Sequence, residues 1–106
     1  KKLRSKMLPS VSVKKSTGCG NVYIHITYNG EGKPFEVFAT LGKAGGCAHC
    51  QIEAVTRCIS MGLRYGIPVE EYIEQLVGIK CPSPMIEDGE KIESCSDAIG
   101  KALTWY

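Results

Sequence analysis

A glycine-rich turn at residues 41–50 joins the two strongest structural patterns of the chain. Before the turn, apolar and polar residues alternate, whereas after it apolar residues recur at every third or fourth position. The chain therefore changes from strand to helix at this point. Cys47 lies where the helix is expected to begin, which places one cysteine at the junction of the two elements.

The strands before this turn have the clearest pattern. Apolar residues alternate with polar ones over residues 21–28, and the alternation resumes at residues 35–41 after a turn that contains glycine and proline. Two alternating runs joined in this way predict an antiparallel hairpin at 21–41. A shorter alternation at Val11 and Val13 predicts an edge strand.

Three amphipathic helices are expected after the turn. The first follows it directly, with apolar residues at the 3.6-residue spacing of a helix. The second begins at Pro68 and ends before Gly78, and the third follows a capping serine, Ser94 or Ser96. The expected fold class is therefore α+β, with a small antiparallel sheet packed against three helices.

A length of 106 residues fits one domain. We expect residues 1–16 to form an N-terminal tail, a linker or an edge strand, and residues 17–106 to form the domain itself. A domain of this size buries a modest core, and a metal or a disulfide commonly supports such a core.

The charge and the cysteine usage limit the class of protein. A net charge of +2 and a pI near 8.2 are mild, whereas nucleic-acid-binding domains usually have a pI above about 9. The chain starts at Lys1 with a basic run rather than an apolar leader, and no apolar run approaches the ~20 residues that cross a bilayer. We therefore expect a cytoplasmic protein with reduced thiols and no membrane partner.

Four of the six cysteines lie in turns or at a helix start. These four are Cys19, Cys47, Cys81 and Cys95. Loops and helix N-termini stabilise thiolates, and four thiolates suit a closed tetrahedral zinc site. We expect one structural zinc that would tie the hairpin, the long helix, the proline-rich turn and the last helix together.

The remaining cysteines support an alternative. At about 100° per residue, Cys58 lies near the edge of the core stripe and is expected to be buried, whereas Cys50 lies almost opposite the stripe. Cys47 and Cys50 form a CxxC motif, which is typical of thiol-redox chemistry, and thiolates also bind iron–sulfur clusters. The preceding hairpin differs from the parallel βαβ unit of thioredoxin-type proteins, which disfavours redox chemistry.

No catalytic or cofactor-binding residue is assigned, because no Ser/His/Asp constellation or carboxylate pair stands out. We therefore expect no self-sufficient active site. His25 is expected on the polar face of a strand, and His49 on the surface of the first helical turn. A second alternative is a stand-alone nucleotide- or nucleic-acid-binding module, whose basic residues would be Lys1, Lys2, Arg4, Lys14, Lys15 and Lys43.

Four segments resemble the TSCPD domain, which occurs near the C-terminus of adenosylcobalamin-dependent (class II) ribonucleotide reductases and in some small stand-alone proteins. They are TGCGNVY at 17–23, PFEVFATLGKAGGC at 34–47, GIKCPSP at 78–84 and SCSDAI at 94–99. The resemblance covers residues 17–103, and the run that ends at Gly46-Cys47 is specific.

The resemblance implies a domain built around the same four cysteines, with Cys50 and Cys58 outside the motif. The sequence departs from the name motif at Ser96, where proline is usual, and at Glu93, where threonine is typical. Since Cys95 and Asp97 remain, we expect the site to be retained. We expect Asp97 either to cap the last helix or to support Cys95.

The function implied by the resemblance is that of an accessory C-terminal domain of a vitamin B12-dependent ribonucleoside-diphosphate reductase, an oxidoreductase of DNA precursor synthesis. Adenosylcobalamin would be bound only in the parent enzyme. The expected partners are the catalytic barrel of that enzyme or its reductant, and a nucleotide or nucleic acid is a further candidate. The resemblance does not choose among these partners.

Overall fold

The computed structural model describes residues 6–42 and 46–104. Its strands and helices follow the order that the sequence patterns predict, with one additional short hairpin. The elements are β1 (Ser10–Thr17), β2 (Gly20–Tyr28), β3 (Pro34–Leu41), α1 (Gly46–Arg64), α2 (Val69–Leu76), β4 (Met85–Glu87), β5 (Glu90–Ile92) and α3 (Cys95–Leu103).

The first three strands form an antiparallel sheet in the order β1-β2-β3. Val13 lies opposite Ile24, and Ile26 lies opposite Val37, so the apolar positions of neighbouring strands share one face. On this face, Val22, Ile24, Ile26 and Val37 are fully buried. The predicted hairpin and edge strand are confirmed, and the α+β class is confirmed with them.

Helix α1 packs against β3 and covers the free edge of that strand. The hydroxyl of Ser60 accepts a hydrogen bond from the backbone N–H of Val37 at 2.9 Å and donates one to its carbonyl at 2.8 Å. The hydroxyl thus pairs the strand groups that a fourth strand would otherwise pair, and a covered edge is protected from pairing with another chain. Near the end of the helix, Arg64 forms an ion pair with buried Glu36 and places its guanidinium 5.4 Å from the ring centroid of Phe35.

The hydrogen bonds between Ser60 and Val37 also correct the expectation for Cys58. The predicted stripe of α1 was centred on Ile52, Val55 and Ile59, which would bring Cys58 to its edge. In the structure the buried face includes Thr56 and Ser60, since Ser60 must reach the edge of β3. The helix is therefore rotated relative to the prediction, and Cys58 is exposed.

Helix α3 packs against β1 and β2, and α2 packs against α3. Ile99, Ala102 and Leu103 join the residues of the sheet and α1 in one core cluster. Ser94 is the N-cap of α3, because its hydroxyl accepts a hydrogen bond from the N–H of Asp97 at 3.0 Å. The choice between Ser94 and Ser96 is thereby settled.

The additional hairpin, β4–β5, turns at Asp88 (φ 51°) and Gly89 (φ 79°). Two consecutive positive φ angles are characteristic of the type I′ turn, for which Asp-Gly is a favoured sequence. The hairpin is held against β1 by Glu87, whose carboxylate accepts bonds from the N–H and hydroxyl of Ser16 at 3.0 and 2.7 Å. Lys15 adds an ion pair with Glu90 at 2.7 Å. Within residues 6–42 and 46–104, no helix is long and apolar enough to cross a membrane.

A candidate cysteine site

Cys19 lies at the tip of the two-residue turn between β1 and β2. The hydroxyl of Thr17 fixes this turn, because it donates to the carbonyl of Gly20 at 2.7 Å and accepts from the N–H of Cys19 at 3.1 Å. The thiol of Cys19 is exposed. The turn therefore presents this cysteine beyond the end of the sheet.

Cys81 lies in the segment between α2 and β4, where Pro82 and Pro84 favour an extended chain. Its N–H donates to the carbonyl of Glu93 at 3.1 Å, which holds the segment beside the residues that directly precede α3. The N–H of Ser83 points to the sulfur of Cys81 at 3.4 Å. A backbone N–H directed at sulfur stabilises the thiolate form, which is the form that binds metals.

Cys95 is the first residue of α3, directly after the N-cap Ser94. Its sulfur lies 3.5 Å from the hydroxyl oxygen of Thr17. Burial raises the pKa of the Cys95 thiol; the hydrogen bond with Thr17 opposes this, and the neighbouring Cys19 and Cys81 raise the pKa further. The structure thus brings Cys19 and Cys81 close enough to Cys95 to influence its thiol.

The turn of Cys19 and the segment of Cys81 touch directly through Gly18 and Ser83. A β-carbon built on Gly18 would lie 2.0 Å from the carbonyl oxygen of Ser83 and 2.4 Å from its Cβ. No side chain larger than hydrogen fits there without movement. The glycine is therefore what lets these two cysteine-bearing segments approach each other.

Cys47 lies in the first turn of α1 and is exposed, as is Cys50 one turn later. All six cysteines have free thiols. Within residues 6–42 and 46–104, no group of three or more His, Cys, Asp or Glu side chains is placed to hold a metal ion. The four-cysteine site predicted from the sequence is therefore not shown, although three of its members converge. Residues 43–45, which belong to the glycine-rich turn and include Lys43, lie outside the described part.

Neither histidine belongs to a group of three or more potential metal ligands within the described residues. His25 is exposed on β2, as expected. His49 is half-buried rather than on the surface, and within the described residues its Nδ1 is buried without a hydrogen-bond partner. The reason is again the rotation of α1, which turns this position toward the same side as Ile52 and Thr56.

Asp97 supports the base of α3 in a way that the sequence did not predict. Its fully buried carboxylate accepts bonds from the N–H groups of Gly78 and Glu93 at 2.8 and 2.9 Å and pairs with Lys101 at 2.8 Å. Burial alone would raise the pKa of Asp97, but Lys101 and the two N–H donors outweigh it and hold that pKa below the ordinary value. Asp97 therefore fixes the residues just after α2 and just before α3; Cys81 lies between these two points, and Cys95 begins α3.

Cys19 and Cys81 both influence the Cys95 thiol, and neighbouring thiols can bind a soft metal ion, form a disulfide or exchange with another thiol. The raised pKa of Cys95 keeps this thiol protonated at neutral pH unless a cation or a stronger donor compensates. The sequence identified the cysteines but missed Thr17, whose hydroxyl contacts both the Cys19 turn and Cys95. Thr17 could have been predicted as a turn-stabilising residue, because it lies two residues before Cys19 and a Thr hydroxyl commonly accepts a hydrogen bond from the backbone N–H two residues later.

The chain was compared with known proteins. The TSCPD domain matches residues 2–106. A vitamin B12-dependent ribonucleotide reductase from Agrobacterium fabrum (strain C58 / ATCC 33970) is 29% identical over 87 residues, which are 81% of this chain and 7% of that protein. No solved structure matches the chain.

The chain thus spans only a small part of the reductase that it resembles, and the activity of the whole reductase does not transfer with the match. The TSCPD match, by contrast, extends over almost every residue. It includes all four segments in which the sequence resembles the domain and all three cysteines that the fold brings together. This chain belongs to the TSCPD domain family.

Proposed function

We propose that this chain is an accessory, zinc-binding C-terminal domain of a vitamin B12-dependent ribonucleoside-diphosphate reductase. The relationship to such a reductase supports the association with the parent enzyme. The observation that carries the zinc-binding part is the convergence of Cys19, Cys81 and Cys95 from three separate segments of the chain.

The chemistry of these side chains fits zinc. Cysteine thiolates are its preferred ligands in structural sites, and the N–H of Ser83 already points to the sulfur of Cys81. A zinc ion would supply the positive charge that a cluster of thiolates lacks, and it would favour their deprotonated form. Bound there, it would cross-link the β1–β2 turn, the segment before β4 and the start of α3.

Cys47 is the fourth ligand in this proposal. It begins α1 and is exposed, and it is not grouped with the other three in the described structure. Zinc binding therefore requires the start of α1 to approach the other three cysteines. This movement would add the longest helix to the cross-linked unit, so metal binding would contribute directly to folding stability.

Adenosylcobalamin and ribonucleotide chemistry belong, in this proposal, to the catalytic barrel of the parent reductase. The role of the domain is to dock on that barrel or on its reductant. A chimera tests this role: the matching segment of the Agrobacterium reductase is replaced by this chain, and ribonucleotide reduction is measured. We expect activity above that of a reductase in which the segment is deleted.

A second chimera, with serine at positions 19, 47, 81 and 95, tests whether the thiols are needed. It should fall to the level of the deletion. A chimera with serine at positions 50 and 58 is the matched control, because it changes two exposed cysteines outside the proposed site. If the first chimera is no more active than the deletion, the accessory role is wrong.

A thiol-redox module that uses Cys47 and Cys50 is the alternative that a specific observation favours. Both thiols are free and exposed in the first two turns of α1, and two accessible cysteines in a CxxC motif are typical of thiol–disulfide exchange. Two further chimeras separate this alternative from zinc binding, one with serine at position 50 alone and one with serine at position 81 alone. Loss of activity in the first and retention of activity in the second would support the redox module.

A further inference from the structure

The thiols of Cys19 and Cys95 are hydrogen-bond partners, although they come from distant parts of the chain. Both cysteines also contact the hydroxyl oxygen of Thr17, which accepts a hydrogen bond from the N–H of Cys19 at 3.1 Å and lies 3.5 Å from the sulfur of Cys95. Thr17 is buried, and its hydroxyl is fixed by a bond to the carbonyl of Gly20 at 2.7 Å. The fold itself therefore holds these two thiols in contact.

Cys81 is the third cysteine near this pair, but its relation to Cys95 is weaker. The Cys81 thiol acts on Cys95 through its charge, whereas the Cys19 thiol also forms a hydrogen bond with Cys95. The sulfur of Cys81 accepts a bond from the N–H of Ser83 at 3.4 Å, within its own segment. Cys19 and Cys95 are therefore the pair whose sulfur atoms are best placed to bond to each other.

The two thiols differ in their access to solvent. Cys19 is exposed at the tip of the β1–β2 turn, whereas Cys95 is half-buried at the first residue of α3. A dissolved oxidant therefore meets Cys19 first. A disulfide needs its two sulfur atoms ~2.05 Å apart, which is closer than a contact between thiols. The exposed side chain of Cys19 can reach this distance by a change of rotamer.

We propose that Cys19 and Cys95 form a reversible disulfide when the chain meets a low-molecular-weight disulfide such as oxidised glutathione, and that this pair is a redox switch of the cysteine site. In the first step the thiolate of Cys19 attacks one sulfur of the oxidant, forms a mixed disulfide and releases one glutathione thiolate. In the second step the thiolate of Cys95 attacks the sulfur of Cys19 and releases the other glutathione thiolate. The protein loses two electrons and two protons, and one oxidised glutathione becomes two reduced molecules.

The disulfide and the zinc site of the proposed function exclude each other. Zinc binds thiolates, and the sulfur atoms of a disulfide carry no negative charge. The oxidised chain would thus lack two of the four proposed ligands, and reduction would restore them. The displacement of zinc rests on the proposed function, whereas formation of the disulfide rests only on the contacts of Cys19 and Cys95.

Peptide mapping of the full chain tests the proposal. The chain is freed of metal with a chelator, incubated under native conditions with oxidised glutathione, blocked with an alkylating reagent and digested with trypsin. Trypsin does not cut between Lys33 and Pro34, and it therefore distributes the six cysteines over five peptides, which are 16–43, 44–57, 58–64, 81–91 and 92–101. We expect peptides 16–43 and 92–101 to be linked, and to separate on reduction.

Cys58 provides a control within the same experiment. It is exposed on α1, which packs on β3. We expect its reaction to stop at the mixed disulfide, so that peptide 58–64 carries glutathione. Cys95→Ser should abolish the link between peptides 16–43 and 92–101, and Cys58→Ser should leave this link unchanged. Circular dichroism checks that both variants are folded, and the map of the unsubstituted chain is decisive if one of them is not.

Oxidation in the presence of zinc separates this proposal from the proposed function. If both hold, zinc should slow formation of the link roughly tenfold or more, because only the zinc-free chain reacts. A link that forms equally fast with zinc, in a chain that binds no zinc, supports the disulfide and contradicts the zinc site. Zinc binding by a chain whose metal-free form gives no link overturns the disulfide and leaves the zinc site standing.

Three products of the mapping would also overturn the proposal. The first is a dominant link between peptides 16–43 and 81–91, which would pair Cys19 with Cys81 instead. The second is an internal disulfide in peptide 44–57 as the sole product, which would favour Cys47 and Cys50. The third is a link between peptides 16–43 and 92–101 that forms only when the chain is unfolded in urea, since the native contacts would then have no part in it.

Discussion

Gly18 in the β1–β2 turn packs directly on Ser83 in the segment of Cys81, so that a β-carbon on Gly18 would lie 2.0 Å from the carbonyl oxygen of Ser83. The contact joins two parts of the chain that are far apart in sequence. Cys19 and Cys81 each lie within two residues of it. The spacing of these thiols is therefore set by a backbone contact rather than by the thiols themselves.

A first prediction follows from this contact. Gly18→Ala should separate the two segments, lower the free energy of unfolding by about 1–3 kcal/mol as overpacking does, and weaken zinc binding. Gly30→Ala is the matched control, since nothing lies within 4 Å of its β-carbon position. Chemical denaturation and zinc titration check both effects. Equal stabilities and zinc affinities of the two variants would show that the contact is unimportant.

A second prediction concerns the covered edge of β3. Ser60→Ala should lower the free energy of unfolding by about 2–4 kcal/mol, because it leaves the buried N–H and carbonyl of Val37 without their partner. Ser12→Ala, on the exposed face of β1, should change it by no more than about 0.5 kcal/mol. Urea denaturation of the two variants gives the comparison. A loss below about 0.5 kcal/mol for Ser60→Ala would mean that water replaces the hydroxyl.

A third prediction concerns the buried carboxylate of Asp97. Asp97→Asn should destabilise the fold by about 2–4 kcal/mol, because the amide cannot accept both backbone hydrogen bonds and leaves Lys101 without its charge partner. Asp88→Asn should be nearly neutral, since asparagine tolerates the left-handed conformation found there. Thermal unfolding distinguishes them, and similar melting temperatures would contradict the role given to Asp97.

A fourth prediction is a pH dependence at the β4–β5 hairpin. The two hydrogen bonds from Ser16 hold the pKa of Glu87 below its ordinary value of 4.5. The ionised carboxylate is therefore favoured in the folded state, and its contribution is fully present above that ordinary value and lost as the pH falls through the lower folded-state pKa. Glu87→Gln should be less stable than the unsubstituted chain at pH 7, and the difference should shrink at acid pH.

The double variant Ser16→Ala/Glu87→Gln shows whether this pH dependence belongs to the pair. At pH 7, Glu87→Gln should lower the free energy of unfolding less when it is added to Ser16→Ala than when it is made in the unsubstituted chain. Denaturation curves between about pH 3 and pH 7 provide the values. A stability difference that does not vary with pH would contradict the assignment.

Much of the fold is visible in the sequence because its periodicities are clear. The alternation at residues 21–28 and 35–41 predicted β2 and β3 closely, Pro68 and Gly78 predicted both ends of α2, and the serine caps predicted the start of α3 as one of two positions. The β4–β5 hairpin was missed because strands of three residues show no periodicity, although Asp88-Gly89 is a sequence that indicates a hairpin turn. The rotation of α1 was missed because Ser60 is polar, and a polar residue in the buried face is explained only by the edge of β3 that it covers.

The site could be predicted less completely than the fold. Turn residues around Cys19, Cys81 and Cys95 indicated that these cysteines lie outside regular helix and strand. In the structure, Cys19 and Cys81 lie near Cys95. The contact of Gly18 with Ser83 and the position of Thr17 beside Cys95 depend on how the β1–β2 turn meets α3. Such long-range contacts leave no local pattern in a single sequence. The membership of all four cysteines, Cys19, Cys47, Cys81 and Cys95, in one metal site stays a prediction.

The measurement that tests the central claim most directly is the zinc content of the purified chain, determined by mass spectrometry together with titration of its thiols. We predict about one zinc per chain, retained when Cys50 or Cys58 is replaced by serine and lost when Cys19, Cys47, Cys81 or Cys95 is replaced. Iron in place of zinc, no metal at all, or full zinc content in the Cys47→Ser protein would contradict a zinc site built from these four cysteines.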